Sequence, residues 1–360
     1  MEKENTMALE DEASGIRTGE ELPLKIIEPY IRENIKGIDG PITVRQFPNG
    51  HSNLTYLILA GNKEMVLRCP PHGTKAKSAH DMGREYKILT ALQEVFPYCP
   101  KPLAYCGDET LLGSPFYVME RIRGIIIRRD LPEQLKLTPA DTTRLFENIL
   151  KVQYELHAID YKAIGLEDFG RPEGYVKRQV EGWSRRYRAA RTPDVPDGEA
   201  AMAWLWDQMP GDTQNPSILH NDFKFDNVIL DPDNPFTVIG VLDWEMATVG
   251  DPLMDLGASL GYWVQPGDPE EMQAMRTGPT LAPGALTREE MVRQYAVLSG
   301  RKMEKFSFYH CFGVFRLATI AQQIYYRYFH GQTVDKRFKS FGYHVNVLIR
   351  TADRIAKGEL

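Results

Sequence analysis

The stretch SILHNDFKFDNVIL, residues 217–230, sets His220, Asn221, Asp222, Lys224, Asp226 and Asn227 between two apolar runs that read as buried segments. Burying such groups is costly unless each is hydrogen-bonded or ion-paired. The stretch therefore demands partners, either from elsewhere in the chain or from a ligand. The elements around it narrow the folds that could supply them.

From residue 41 the pattern has strand character: PITVRQF, LTYLILA and EMVLRCP are separated by the turns PNGHSN and GNK. This predicts a small antiparallel meander. AHDMGREYKILTALQEV then spaces Met82, Tyr86 and Leu89 as on a helix that ends before Pro97. Two more strand-like runs, LAYCGDE and PFYVMERI, lead to Gly124. Beyond them the pattern turns helical. DTTRLFENILKVQYELHAID lines Leu145, Ile149, Val152, Leu156 and Ile159 along one face, and EEMVRQYAVLSG and FYHCFGVFRLATIAQQIYYRYF follow later. Strands return only as NVIL and TVIGVLDW, joined by the turn DPDNPF. The expected fold class is α+β: a β-rich N-lobe over 23–122 and a mainly helical C-lobe over 123–360. An acidic segment, 1–22, is expected to be a flexible tail.

Composition excludes several functions. With 43 basic and 49 acidic residues the net charge is −6, which argues against a general affinity for nucleic acid or anionic membrane. An anionic ligand must be held by a local site. The apolar run near the C-terminus is interrupted by His310, Arg316 and two glutamines and reads as a buried helix, not a membrane span. Cys69, Cys99, Cys106 and Cys311 lack metal-type spacing, so a reducing, cytoplasmic setting is expected. No histidine pair at metal spacing, G-x-S-x-G element or dinucleotide fingerprint occurs.

The polar stretch itself carries a spacing with a mechanical meaning. His220-x-Asp222 followed by four residues and Asn227 is the spacing of the kinase catalytic loop. A loop of that length can aim a carboxylate at a nucleophile's proton while the amide one turn on coordinates a metal held by phosphates. Lys224 lies where its ammonium could meet a transferring phosphoryl group. Asp243 ends the apolar run TVIGVL and would be delivered to the same metal from a strand edge.

Together, LHNDFKFDNVIL and GVLDWEMATVGDPLMDLG resemble the aminoglycoside phosphotransferase-like family of small-molecule kinases. The branch most resembled is that of the kinase-like domains fused to some acyl-CoA dehydrogenases, and the likeness covers roughly residues 40–330. The resemblance implies a protein-kinase-like bilobal fold with ATP, or GTP in its place, between the lobes. It implies Asp222 as catalytic base, Lys224 beside it, and Asn227 and Asp243 as Mg²⁺ ligands. Asp251 and Asp255 match a family signature and would cap a helix or tie the loop down.

Set against that expectation, FPNGHSNLTYLI takes the place of the phosphate-covering loop, with Ser52 and Asn53 as donors. The lysine expected on the next strand is replaced by Arg68, which keeps the charge but presents it as a planar fork. Glu85, on the following helix, is its natural ion-pair partner. FYVMERIRG resembles the hinge that holds the base, with Glu120 and Ile122 contributing main chain and Met119 lining the pocket.

Two stretches could hold the hydroxyl-bearing acceptor. EGWSRRYRAAR offers Arg185 and Arg188 among four arginines interleaved with Trp183 and Tyr187, and QQIYYRYFHGQT offers Tyr325 and Arg327. Either could bind a carboxylate or phosphate, and either could instead cover apolar surface. The arginines favour an anionic or neutral acceptor, such as a hydroxy acid or hydroxyacyl thioester, over a polycationic drug. Two rivals stand beside this reading: a catalytically silent nucleotide-binding regulator and an antibiotic kinase.

Overall fold

The computed structural model describes residues 11–48, 53–71 and 81–360. Ser52 therefore lies outside the described residues. The chain divides into two units: unit 1 is Met1–Ile126 with Asn227–Ala247, and unit 2 is Ile127–Asp226 with Thr248–Leu360. This differs from a division at residue 122, because the segment Asn227–Ala247 was expected in the C-lobe and belongs to unit 1. Its attachments are long-range: the Val241 N–H donates to Tyr98 O at 2.6 Å, and Ile125 and Leu230 bridge in antiparallel fashion.

Unit 1 is built on a five-stranded antiparallel sheet. Its strands are β1 (Ile42–Gln46), β2 (Leu54–Ala60), β3 (Lys63–Cys69), β4 (Pro102–Cys106) and β5 (Phe116–Glu120), in the order β1-β2-β3-β5-β4. All five lie where alternation and turn residues placed them. On one face Leu54, Tyr56, Ile58, Met65, Leu67, Phe116 and Val118 pack with Ile27 and Ile31 of α1 (Leu24–Asn34). The helix α2 (Met82–Leu92) is capped by Asp81, whose side chain accepts from Arg84 N. Its Glu85, Ile88, Leu89 and Leu92 are buried.

The expectation of a flexible tail fails for residues 11–22. Ser14 exchanges two backbone hydrogen bonds with Gln46 on the free edge of β1, and the Tyr56 hydroxyl donates to Glu20 O at 2.6 Å. Leu22 joins the sheet core. A polar segment pairs well with a sheet edge because the edge offers unpaired backbone groups, and composition does not report them.

Unit 2 is mainly helical: α3 (Pro139–Ala158), α4 (Tyr175–Ala190), α5 (Glu199–Asp207), α6 (Pro252–Leu260), α7 (Arg288–Ser299), α8 (Phe306–Phe329) and α9 (Phe341–Ala356). Thr138 and Asp141 form a capping box at the start of α3, and Thr287 and Glu290 form another at α7. Helix α8 is the expected apolar run, buried and carrying Arg316 at 2% exposure. No helix among the described residues is long and apolar enough to cross a membrane. The four cysteines are free thiols.

Helices α6 and α8 meet backbone to backbone. A Cβ built on Gly313 would stand 1.9 Å from Gly257 O, and one on Gly257 would stand 2.3 Å from Tyr309 O. Neither neighbour is a flexible side chain that can swing away. Gly313→Ala is expected to destabilise unit 2 by about 1–3 kcal/mol or more, the cost of overpacking a tight core. Thermal denaturation reads this directly, and an unchanged melting temperature would refute the close crossing.

Candidate active site

The polar stretch begins where the strand Ser217–Leu219, paired with Thr248–Gly250, ends at His220. Asn221 then takes a left-handed backbone, φ 63°, as does Asp243, φ 67°. Such conformations in non-glycine residues cost energy and persist where surrounding contacts impose them. At Asn221 the contacts come from Asp255, fully buried in the first turn of α6. Its carboxylate accepts from the His220 and Asn221 N–H groups at 2.9 and 2.7 Å. It also contacts His157 Nε2 at 2.9 Å, and His157 Nδ1 lies 2.7 Å from the Tyr295 hydroxyl. Burial pushes the Asp255 pKa up, but the hydrogen bond and charge of His157 and the contacts of His220 outweigh it and hold it below the usual range. Asp251 caps α6 through Leu253 N and accepts from the Tyr309 hydroxyl. Both acids thus brace the backbone, and His157 is a brace for Asp255.

This bracing fixes Asp222. Its N–H donates to His220 Nδ1 at 3.2 Å, and Oδ1 accepts from the Tyr262 hydroxyl at 3.0 Å. Lys224 Nζ lies 3.1 Å from Asp222 Oδ2 and 3.7 Å from Asp226 Oδ2, and 4.9 Å from the centre of the Tyr262 ring. Burial pulls the Lys224 pKa down, yet Tyr262, Asp222 and Asp226 more than compensate, so it is raised and the ammonium stays charged. Asp226, whose purpose the sequence did not disclose, is the second carboxylate on that ammonium. Burial raises its own pKa against the pull of Lys224.

A second group assembles within unit 1. Arg68, on β3, lies 2.9 Å from Asp243 Oδ1 and 3.5 Å from Glu85 Oε1. Glu85 is 1% exposed and accepts from the Tyr117 hydroxyl at 2.5 Å. The Arg68 pKa, which burial would lower, is raised by Glu85, Tyr117 and Asp243. Asn53 Nδ2 donates to Glu245 Oε2 at 2.8 Å. Glu85, Asp243 and Glu245 each place a carboxylate oxygen within 4.8 Å of the others. Glu245 was not singled out from the sequence; its position two residues after Asp243, across a single 3-10 turn, was the available signal. The hairpin of Val228–Leu230 and Val238–Val241 brings the Leu242 N–H to Asn227 O at 2.8 Å, so buried Asn227 sits beside the residue preceding Asp243.

Met119 is buried on β5, and Glu120 is exposed at its end. The Glu120 N–H already donates to Lys101 O, and the Arg121 N–H to Glu64 O. The acceptor candidates fare differently. Arg188 is paired with Glu199 at 2.6 Å, and the Tyr325 hydroxyl donates to Asp194 at 2.6 Å. Arg185 and Arg327 are exposed. No contact among the described residues joins any of these four to Asp222. The arginine that reaches the loop before Asp222 is Arg316, whose Nη2 donates to Asn221 O.

The sequence profile of the phosphotransferase enzyme family matches residues 43–290. The chain belongs to that family. Acyl-CoA dehydrogenase family member 10 of Mus musculus is 34% identical over 314 residues, 86% of this chain and 29% of that protein. The chain spans less than half the length of the curated relatives it matches. A crystal structure from Ralstonia eutropha, assigned to the aminoglycoside phosphotransferases, superposes with a TM-score of 0.78 at 29% identity over 94% of this chain and 99% of that one. A thermostable aminoglycoside phosphotransferase APH(4)-Ia in ternary complex with ADP and hygromycin B shares the fold, with a TM-score of 0.57 at 15% identity over 91% and 97% of the two chains. The fold is the protein-kinase-like α+β fold.

Proposed function

We propose that this protein transfers the γ-phosphoryl group of MgATP to a hydroxyl of a small metabolite, with Asp222 as general base. The observation that carries this reading is the state of Asp222, held by a loop braced at Asp255 and flanked by the Tyr262 hydroxyl and the Lys224 ammonium. Lys224 stays protonated and cannot take the acceptor's proton, which leaves that role to Asp222. The same ammonium would balance charge on the moving phosphoryl group.

The donor set in unit 1 suits magnesium, which prefers oxygen ligands and keeps water and phosphate in its shell. Asn227 and Asp243 would hold the ion, with Glu245 as a further carboxylate, and the bound ion would neutralise charge on the nucleotide phosphates. Arg68, kept charged and aimed by Glu85, would grip phosphate oxygens, with Asn53 beside it. Glu120 and Ile122 would meet the base through main chain. With the Glu120 and Arg121 N–H groups engaged, the Ile122 N–H would be the donor to the base and the Glu120 carbonyl its acceptor.

The acceptor fits a hydroxy acid or hydroxyacyl thioester. A panel of hydroxy acids, hydroxyacyl-CoA esters, choline, homoserine and aminoglycosides assayed with MgATP tests this. Phosphorylation of the hydroxy acid or thioester supports it, whereas turnover confined to the cationic drugs would sink it.

A further inference from the structure

Helix α4 carries three arginines within four residues, Arg185, Arg186 and Arg188, and their fates differ. Arg188 has its carboxylate in Glu199. Arg186 stacks on the indole of Trp183, one turn earlier, with its guanidinium carbon 4.6 Å from the ring centre. From α8, Arg316 reaches the same indole at 5.2 Å. Trp183 is 6% exposed and anchored through Nε1 to Gln179, so it is a fixed platform for two cations. No carboxylate among the described residues pairs with Arg186, which is exposed to solvent.

Bringing two guanidinium groups to one ring is unfavourable unless the ring and a further anion offset the repulsion. Partial desolvation, followed by the charges of Arg185 and Arg316, lowers the Arg186 pKa, and no acidic group figures among its causes. Several other cations of unit 2 do have carboxylate partners: Lys177 meets Glu181, Arg276 meets Asp130 and Arg350 meets Glu271. The location also matters. Arg316 Nη2 donates to Asn221 O, the carbonyl immediately before Asp222. Tyr262, which donates to Asp222, lies within the electrostatic reach of the same guanidinium.

We infer that Arg186, with Arg316 on the Trp183 indole, forms an anion-binding subsite that reads a carboxylate or phosphate on the acceptor whose hydroxyl faces Asp222. The inference rests on the phosphotransferase reading for the hydroxyl, and on its own geometry for the anion. Arg316 is shared between the subsite and the loop, so Arg186 is the specificity-determining residue that can be altered without touching Asn221. A guanidinium fork can take two oxygens of a carboxylate or phosphate side by side, which lysine cannot reproduce. Helix phase selects Arg186: it stands three residues after buried Trp183, whereas Arg188 faces α5 through Glu199.

The test compares the wild type, Arg186→Gln and Arg186→Lys on short hydroxy acids, their neutral methyl esters and their coenzyme A thioesters. Arg186→Gln is expected to raise KM roughly 10- to 100-fold for the anionic acceptor, the weight of a charge-assisted hydrogen bond, with kcat and the neutral ester unaffected. Arg186→Lys should recover part of the loss. An effect on the free acid assigns the subsite to its carboxylate, and an effect on the thioester alone assigns it to phosphates of the carrier. Equal effects on neutral and anionic acceptors, or none, overturn the inference. Calorimetric binding of a carboxylate analogue lacking the hydroxyl separates the two readings. Binding that is lost in Arg186→Gln while no acceptor is phosphorylated would leave the subsite standing and remove the transfer reaction. Phosphorylation that is indifferent to Arg186→Gln would do the reverse.

Discussion

Asp222→Asn is expected to lower kcat for phosphoryl transfer by ~10²–10⁴-fold, the usual contribution of a positioned general base. Nucleotide binding should change little. The substitution keeps the side chain's shape and an oxygen able to accept from Tyr262, so the loop has no reason to collapse. Asparagine cannot take up the acceptor's proton, and it also removes the negative charge that faces Lys224. Steady-state kinetics with the best acceptor of the panel, alongside nucleotide titration, separate the two effects. Turnover within a few-fold of wild type would defeat the assignment of Asp222 as base.

The second large effect is expected at Asp255. Asp255→Ala leaves the His220 and Asn221 N–H groups and the His157 imidazole without their acceptor in a fully buried place. Breaking such a buried arrangement from one side costs roughly 3–5 kcal/mol. Thermal denaturation should show a fall on the order of 10 °C, with activity lost even at temperatures where the fold survives. The same carboxylate predicts an acid limit. Its folded pKa is depressed below the unfolded value, so the stability it contributes is present in full above about pH 4 and lost as pH falls through the lower folded pKa. Asp255→Asn should flatten that acid limb, and an identical pH profile in the variant would exclude Asp255 as its source.

Much of this was legible in the sequence because it is local. Strand alternation places β1 to β5, and the interval from His220 to Asn227 locates the loop without any tertiary contact. Arg68 and Glu85 were paired from the order of strand and helix, and they meet at 3.5 Å. What escaped was set by contacts distant in sequence. Arg316 read as an interruption of an apolar helix, although it spans 95 positions to reach Asn221 O. Among the arginines of α4 the choice depends on which of them shares the Trp183 indole with a second cation from another helix. Residues 11–22 looked like a solvated tail because pairing at a sheet edge uses backbone groups that every sequence shares. Glu245 needed the turn at Asp243, whose left-handed backbone no residue type announces.

The return of Asn227–Ala247 to unit 1 has a consequence for synthesis. Val241, Trp244 and their neighbours complete contacts with Tyr98 and Phe96, which precede them by well over a hundred residues. As the chain leaves the ribosome, the sheet core of unit 1, drawn from residues before 126, can close early, but its face at Phe96 and Tyr98 stays open until Val241 and Trp244 have emerged, and unit 2 must wait longer still. Domains usually finish in order from the N-terminus. Here the first to begin holds an open place while a hundred residues of the second are made, so a fragment ending near residue 126 should expose apolar surface and aggregate.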